Sequence, residues 1–122
     1  MKILCVDDSR MSRGLLQQVV SGLGYGFLEA VSGQDAMHCL LSEYEEISLV
    51  LLDWNIPKPD GFEVLKWIKG NDQFQHIPVV MVTAMAHEER MRTAVQAGAN
   101  DYFIKPFDPE ILAGRIRELV EG

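Results

Sequence analysis

The stretch "VLLDWNIPKPDG", residues 50–61, ends an apolar run on a single carboxylate, Asp53, and then breaks into prolines. A strand bound for the interior gains nothing by finishing on a charge unless that charge is used. Comparable signals recur along the chain. The run "KILCV" is followed by Asp7-Asp8, "IPVVMVT" ends on Thr83, and "DYFI" leads into Lys105-Pro106. Three carboxylates brought together repel one another and raise their pKa values unless a cation intervenes. A hard divalent ion resolves this, and Mg2+ suits a site with few protein carboxylates, retained waters and a phosphate oxygen. Lys105 would add a movable positive charge and Thr83 a hydroxyl donor. Together these groups have the chemistry of phosphoryl transfer, in which catalysis is mostly positioning and charge neutralisation. Taken singly, Asp7-Asp8 reads as a helix cap and Thr83 as an ordinary strand end. Their recurrence at corresponding strand ends gives them weight.

The elements that must position these residues can be read from periodicity. Short apolar runs alternate with helical patterns. "KILCV" is the first strand, and Ser9 caps a helix on which Met11, Leu15, Leu16, Val19, Val20 and Leu23 recur, stopped by Gly24. "GFLEAV" is a mixed second strand, followed from Ser32 by a helix on Ala36, Met37, Leu40 and Leu41. "SLVLLD" is the third strand, with Phe62, Leu65 and Ile68 marking its helix. "IPVVMVT" precedes a helix through Met91, Ala94 and Val95 that Gly98 closes. "DYFI" is the fifth strand, and Asp108-Pro109 opens a last helix on Leu112, Ile116 and Leu119.

Five βα units in succession imply an α/β fold, a doubly wound parallel sheet of five strands. "ILCV", "LVLL" and "VVMV" are continuously apolar, as strands covered on both faces must be, whereas "FLEAV" and "DYFI" suit edges. Three interior strands and two edges point to the order 2-1-3-4-5, and composition alone leaves 3-2-1-4-5 open. In either order all strand ends share one edge, where ligands bind in open parallel sheets.

The 122 residues are expected to form one domain, residues 1–122, with no internal repeat or linker. No apolar run approaches the roughly 18 residues of a membrane span, and the opening "MKILCVDD" carries neither a long apolar stretch nor a cleavage site. Cys5 and Cys39 lie in apolar segments at no metal-like spacing, so free thiols in a reducing cytoplasm are expected. A net charge of −7 argues against direct nucleic-acid binding and suits cations or basic partner surfaces. His38, His76 and His87 show no consistent metal spacing, and Met81 and Met91 read as core filler. Met1-Lys2 reads as a natural start, while Gly122 leaves open whether an output domain follows.

The segments "VDDS", "LLDWNIPKPDG", "VVMVTA" and "DYFIKPF" resemble, in this order and spacing, the response-regulator receiver domain, over nearly the whole chain. The "DWN-P--DG" pattern is particularly similar to the chemotaxis (CheY-like) branch, of flavodoxin-like (βα)5 fold. The resemblance implies that Asp53 accepts a phosphoryl group from a phosphohistidine on a sensor histidine kinase or a histidine phosphotransfer protein. It implies Mg2+ held by Asp8, Asp53 and the main-chain carbonyl of Asn55, with Asp7 acting largely through water. Thr83 and Lys105 would bind phosphoryl oxygens, and Lys105-Pro106 would be cis. Tyr102 would be the aromatic switch, turning inward as Thr83 is drawn to the phosphate. A downstream effector would read the face of the fourth helix, fifth strand and fifth helix. Asn55 and Met85 fall where phosphate lifetime is tuned, and Asp101 with Arg115 resembles a dimer-face pair that could equally be a solvated surface pair. Any catalysis would be self-directed phosphotransfer and autodephosphorylation.

Two other classes remain to be weighed. A haloacid-dehalogenase-like phosphatase or phosphotransferase would carry its aspartyl nucleophile in a D-x-D after the first strand, where this chain has "DDSR". Flavin binding would need a Ser/Thr- and Gly-rich phosphate loop there, where "DDSRMSR" presents two negative charges.

Overall fold

The computed structural model describes residues 1–122. Five strands alternate with five helices: β1 (Lys2–Val6), α1 (Arg10–Gly22), β2 (Gly26–Ala30), α2 (Gly33–Glu43), β3 (Ile47–Leu52), α3 (Gly61–Lys69), β4 (Val79–Thr83), α4 (Glu88–Gln96), β5 (Asp101–Ile104) and α5 (Pro109–Glu121). All strand pairings are parallel, and the order is β2-β1-β3-β4-β5. Of the two orders that composition allows, the structure adopts the one with β1 rather than β2 beside β3.

Alternation along the interior strands sorts their side chains into two cores. Leu4, Val6, Val50, Leu52, Val79 and Met81 pack with Ala36, Leu40, Val64, Leu65, Ile68 and Ala94 from α2, α3 and α4. Ile3, Cys5, Leu49, Leu51, Val80 and Val82 face the other way, onto Leu16 and Val20 of α1 and Leu112 and Ile116 of α5. This double coverage explains the unbroken apolar runs. Each fully buried aliphatic side chain contributes about 1.5–3 kcal/mol.

Local signals set the helix ends. Ser9 Oγ accepts from the Ser12 main-chain N–H, Ser32 from Asp35, Asp60 from Glu63 and Asp108 from Glu110 and Ile111. Gly24 and Gly98 adopt φ of +86° and +109° just beyond α1 and α4, conformations that favour glycine. Cys5 is buried and Cys39 partly so; both thiols are free, and burial raises both their pKa values.

The helical stripes are narrower than the periodicity suggests. Met11, Leu15, Leu41 and Val95 are exposed. Met91 is half-buried and lines a surface groove beside Val95 and Tyr102, so it is not core filler. The cause is geometric: α1 reaches full burial only at Leu16 and Val20, and α4 only at Ala94. α4 lies against an edge strand with no fully buried residue, and its N-cap, His87, makes no side-chain capping bond.

Two backbone contacts secure the segment after β3. Gly61 N–H donates to the Trp54 carbonyl, and Gly33 N–H to the Pro57 carbonyl, each at 2.9 Å. A Cβ at Gly61 would stand 2.0 Å from the Asp53 carbonyl oxygen, and one at Gly33 would stand 1.8 Å from that of Pro59. Only glycine permits such approach. Gly61→Ala is therefore expected to lower unfolding free energy by at least about 2 kcal/mol, measured by urea denaturation. An unchanged midpoint would show that the loop accommodates the methyl group.

Candidate functional site

Parallel register brings the strand ends level. Val6 pairs with Leu52, and Thr83 pairs with Ile104. The next residues extend the ladder, with Asp53 N–H donating to Val6 O at 2.9 Å and Lys105 N–H to Thr83 O at 2.9 Å. Asp7, Asp53, Thr83 and Lys105 therefore share one edge of the sheet, because the order of the strands puts β1, β3 and β4 side by side.

The site centres on one ammonium group. Lys105 Nζ donates to Asp7 Oδ2 at 2.6 Å, to Asp53 Oδ2 at 3.0 Å and to Ser12 Oγ at 3.0 Å. The Asp7 side chain is 1% exposed and that of Asp53 10%. Burial raises the Asp7 pKa, and the hydrogen bonds from Lys105 and from Ser9 N–H, the latter at 2.8 Å, offset only part of that rise. Burial would lower the Lys105 pKa, yet its hydrogen bonds to Asp7 and Asp53 prevail and hold it above the ordinary value. Arg13 braces the same strand end, donating to the Asp7 carbonyl at 3.0 Å and to Glu29 at 3.1 Å.

Around this centre the other sequence-predicted residues are distributed unevenly. Asp8 is exposed, and its side chain makes no hydrogen bond or ion pair. The expected crowd of three carboxylates is thus two carboxylates on a lysine with the third outside. Both residues lie in the loop beyond β1, and there Asp7 takes the buried place on Lys105 while Asp8 keeps its carboxylate in solvent. No three His, Cys, Asp or Glu residues lie close enough to form a metal cluster. Asn55 is exposed, and its N–H donates to Asp53 Oδ1 at 3.2 Å.

Thr83 is fully buried, and its Oγ1 accepts from Met85 N–H at 3.2 Å. Tyr102 is half-buried, and its hydroxyl donates to the Met85 carbonyl at 2.6 Å. Burial, then the Asp53 charge, raises its pKa. The Lys105–Pro106 peptide is cis, as is Lys58–Pro59. Trp54 is buried and stacks on Phe62, with centroids 5.1 Å apart, while Arg90 of α4 lies 5.2 Å over its ring. Arg115 and Asp101 form a 2.7 Å ion pair on the half-exposed β5–α5 surface. Ser12 is the contact that the sequence analysis missed. A serine three residues past a capping serine carries no signal of its own.

The donor set fits a hard cation. It is built of oxygens alone, Asp8 holds uncommitted carboxylate oxygens, and Asp53 Oδ1 is engaged only by the N–H of its own turn. In this arrangement Lys105 supplies the positive charge.

A parallel 2-1-3-4-5 sheet with an acidic pair, a buried aspartate, a hydroxyl and a lysine along one edge defines the receiver class of signalling domain. Residues 3–117 match the family model of the response regulator receiver domain, and the chain belongs to that family, the receivers of two-component signalling. It is 33% identical over 121 residues to a chemotaxis protein CheY homolog of Campylobacter jejuni, covering 98% of this chain and 92% of that one. It is 35% identical over 123 residues to chemotaxis protein CheY1 of Helicobacter pylori, covering 100% and 98%. The phosphorylated cyanobacterial phytochrome response regulator RcpA superposes with a TM-score of 0.85 at 27% identity, covering 99% of this chain and 94% of that one.

Removing the ammonium would leave Asp7 buried and unpaired, which makes the cost of Lys105→Met pH-dependent. A carboxyl group whose folded pKa is raised contributes stability at low pH that is lost as pH rises through that pKa. Without Lys105 the Asp7 value rises further, so the variant falls behind the wild type as pH climbs from acid to neutral. The deficit should be roughly 3–5 kcal/mol at neutral pH and narrow towards pH 4, read from denaturation curves across that range. A deficit independent of pH would contradict the pairing.

Proposed function

We propose that this chain is the phosphoacceptor of a two-component or chemotaxis relay and that Asp53 carries the phosphoryl group. The observation that supports this most is the placement of Asp53, one-tenth exposed at a strand end with its Oδ2 on the Lys105 ammonium. A sensor kinase or histidine phosphotransfer protein would present a phosphohistidine. An Asp53 carboxylate oxygen attacks phosphorus in line, the new O–P bond forms as the N–P bond breaks, and the imidazole leaves with the bonding pair. Lys105 stays with the developing charge on the phosphoryl oxygens. Asp8, Asp53 and the Asn55 carbonyl would hold Mg2+, with Asp7 behind them, and a bound ion would supply further charge neutralisation. The product is an acyl phosphate that water hydrolyses, so the mark is temporary. The expected compartment is the cytoplasm; no helix is long and apolar enough to cross a membrane.

The readout runs through the backbone of one residue, Met85. The Thr83 hydroxyl accepts from Met85 N–H, leaving its own proton for a phosphoryl oxygen, and the Met85 carbonyl holds the Tyr102 hydroxyl. Drawing Thr83 towards phosphate shifts the N–H side of Met85 while its carbonyl side anchors the ring. Tyr102 borders a groove with Met91 and Val95, so the change reaches the α4–β5–α5 face where an effector would bind. This is a population shift between two arrangements of one face.

Acetyl phosphate with Mg2+ is expected to add one hydroxylamine-labile phosphate to the wild type and none to Asp53→Asn, followed by intact-protein mass spectrometry. Label that persists in Asp53→Asn would place the acceptor elsewhere. Stripping the divalent ion with EDTA should reduce the labelling rate at least about a hundredfold, since the ion contributes several kcal/mol of charge stabilisation. A rate indifferent to EDTA would remove Mg2+ from the site.

A further inference from the structure

A lysine ammonium has three N–H donors, and all three of Lys105 are accounted for. Two go to carboxylates, at Asp7 and Asp53, as charge demands. The third goes to a neutral hydroxyl on another element, Ser12 in the first turn of α1, at 3.0 Å. We propose that Ser12 is a positioning residue for phosphoryl transfer: its Oγ takes the third ammonium proton and so aims the other two into the crevice where phosphoryl oxygens arrive. This rests on the reading of Asp53 as phosphoacceptor.

The helix does not need this hydroxyl. The α1 cap is made by Ser9 Oγ accepting from the Ser12 main-chain N–H at 3.3 Å, a bond that any residue at position 12 can donate. The lysine does need something there. Beside Ser12 and Lys105 a groove of about 710 Å³ opens between α1 and α5, walled by Leu15, Val19, Leu23 and Phe107. Of the groove's polar side chains, neither Gln18 nor Glu110 hydrogen-bonds the ammonium, whose partners are Asp7, Asp53 and Ser12. Without Ser12, the third proton would turn to mobile water on the groove side, and a stem with four rotatable bonds would lose the contact that fixes its end. The cost falls on geometry, in a reaction where geometry and charge placement are most of the catalysis.

The test compares wild type, Ser12→Ala and Ser12→Thr, using acetyl phosphate with Mg2+ as the probe. Three quantities are read: the phosphorylation rate, the 15Nζ signal of Lys105 by NMR, and the melting temperature. Ser12→Ala is expected to slow phosphorylation about three- to tenfold, the scale of one ordinary net hydrogen bond in the transition state. It should broaden the Lys105 signal while the melting temperature stays within a degree or two, as a capped helix turn with alanine in place of serine implies. Ser12→Thr, which keeps the hydroxyl, should restore both rate and signal. An unchanged rate in Ser12→Ala overturns the proposal. So does a slowed rate with a lowered melting temperature that threonine fails to rescue, because that pattern marks a packing role. A wild type that takes up no phosphate refutes the acceptor reading itself and carries the role of Ser12 down with it. A wild type that labels normally beside an equally active Ser12→Ala refutes only the assignment of Ser12.

Discussion

A single ammonium group between two nearly buried carboxylates is the constraint to which the rest of the molecule conforms. Left alone, Asp7 and Asp53 would repel one another. Lys105 resolves the conflict directly, and it can do so only because β1, β3 and β5 end on the same edge of the sheet. The two deeply apolar cores make that edge rigid enough to hold charges at hydrogen-bond distance across almost the whole length of the chain. The result is a site in which one ammonium holds two carboxylates and leaves a net negative charge.

The sheet order matters for the same reason. β4 lies between β3 and β5, so Thr83 stands in the row between the Asp53 and Lys105 strands. Its hydroxyl is committed as an acceptor to the next turn and not to the acidic centre. The centre and the hydroxyl are neighbours in the ladder but separate in bonding. Met85 connects them to the surface, its N–H bonded to Thr83 and its carbonyl to Tyr102. A short chain of hydrogen bonds of ordinary length therefore joins the buried strand end to the outer face.

Much of this was legible in the residues, for identifiable reasons. Parallel strands buried on both faces must be apolar throughout, so Asp7, Asp53, Thr83 and Lys105 stood out as interruptions at corresponding positions. The polar residues in two runs pointed to the strand order without excluding the alternative, and Glu29 in β2 and Asp101 in β5 did mark the edges. Asp8 was less legible. An adjacent acidic pair does not say which member turns inward, and the ion pair with Lys105 falls to Asp7. Ser12 gave no signal, because a serine near a helix start is ordinary and its partner lies 93 positions away. The exposed Met11, Leu15 and Val95 show the limit of counting helical repeats. Periodicity finds the apolar side of a helix, but how much of that side is covered depends on the neighbour it meets.

The thin burial of α4 has a consequence of scale. Ala94 is its one fully buried residue, and a methyl side chain forfeits little dispersion energy when a helix slides over its support. A phosphoryl group offers a few charge-assisted hydrogen bonds of about 1.5–3 kcal/mol each. On the proposed phosphoacceptor reading, the lever and the load are of similar size. Anchored by several leucines, the same helix would be too heavy for one phosphate to displace, and covalent modification would leave the outline of the molecule as it was.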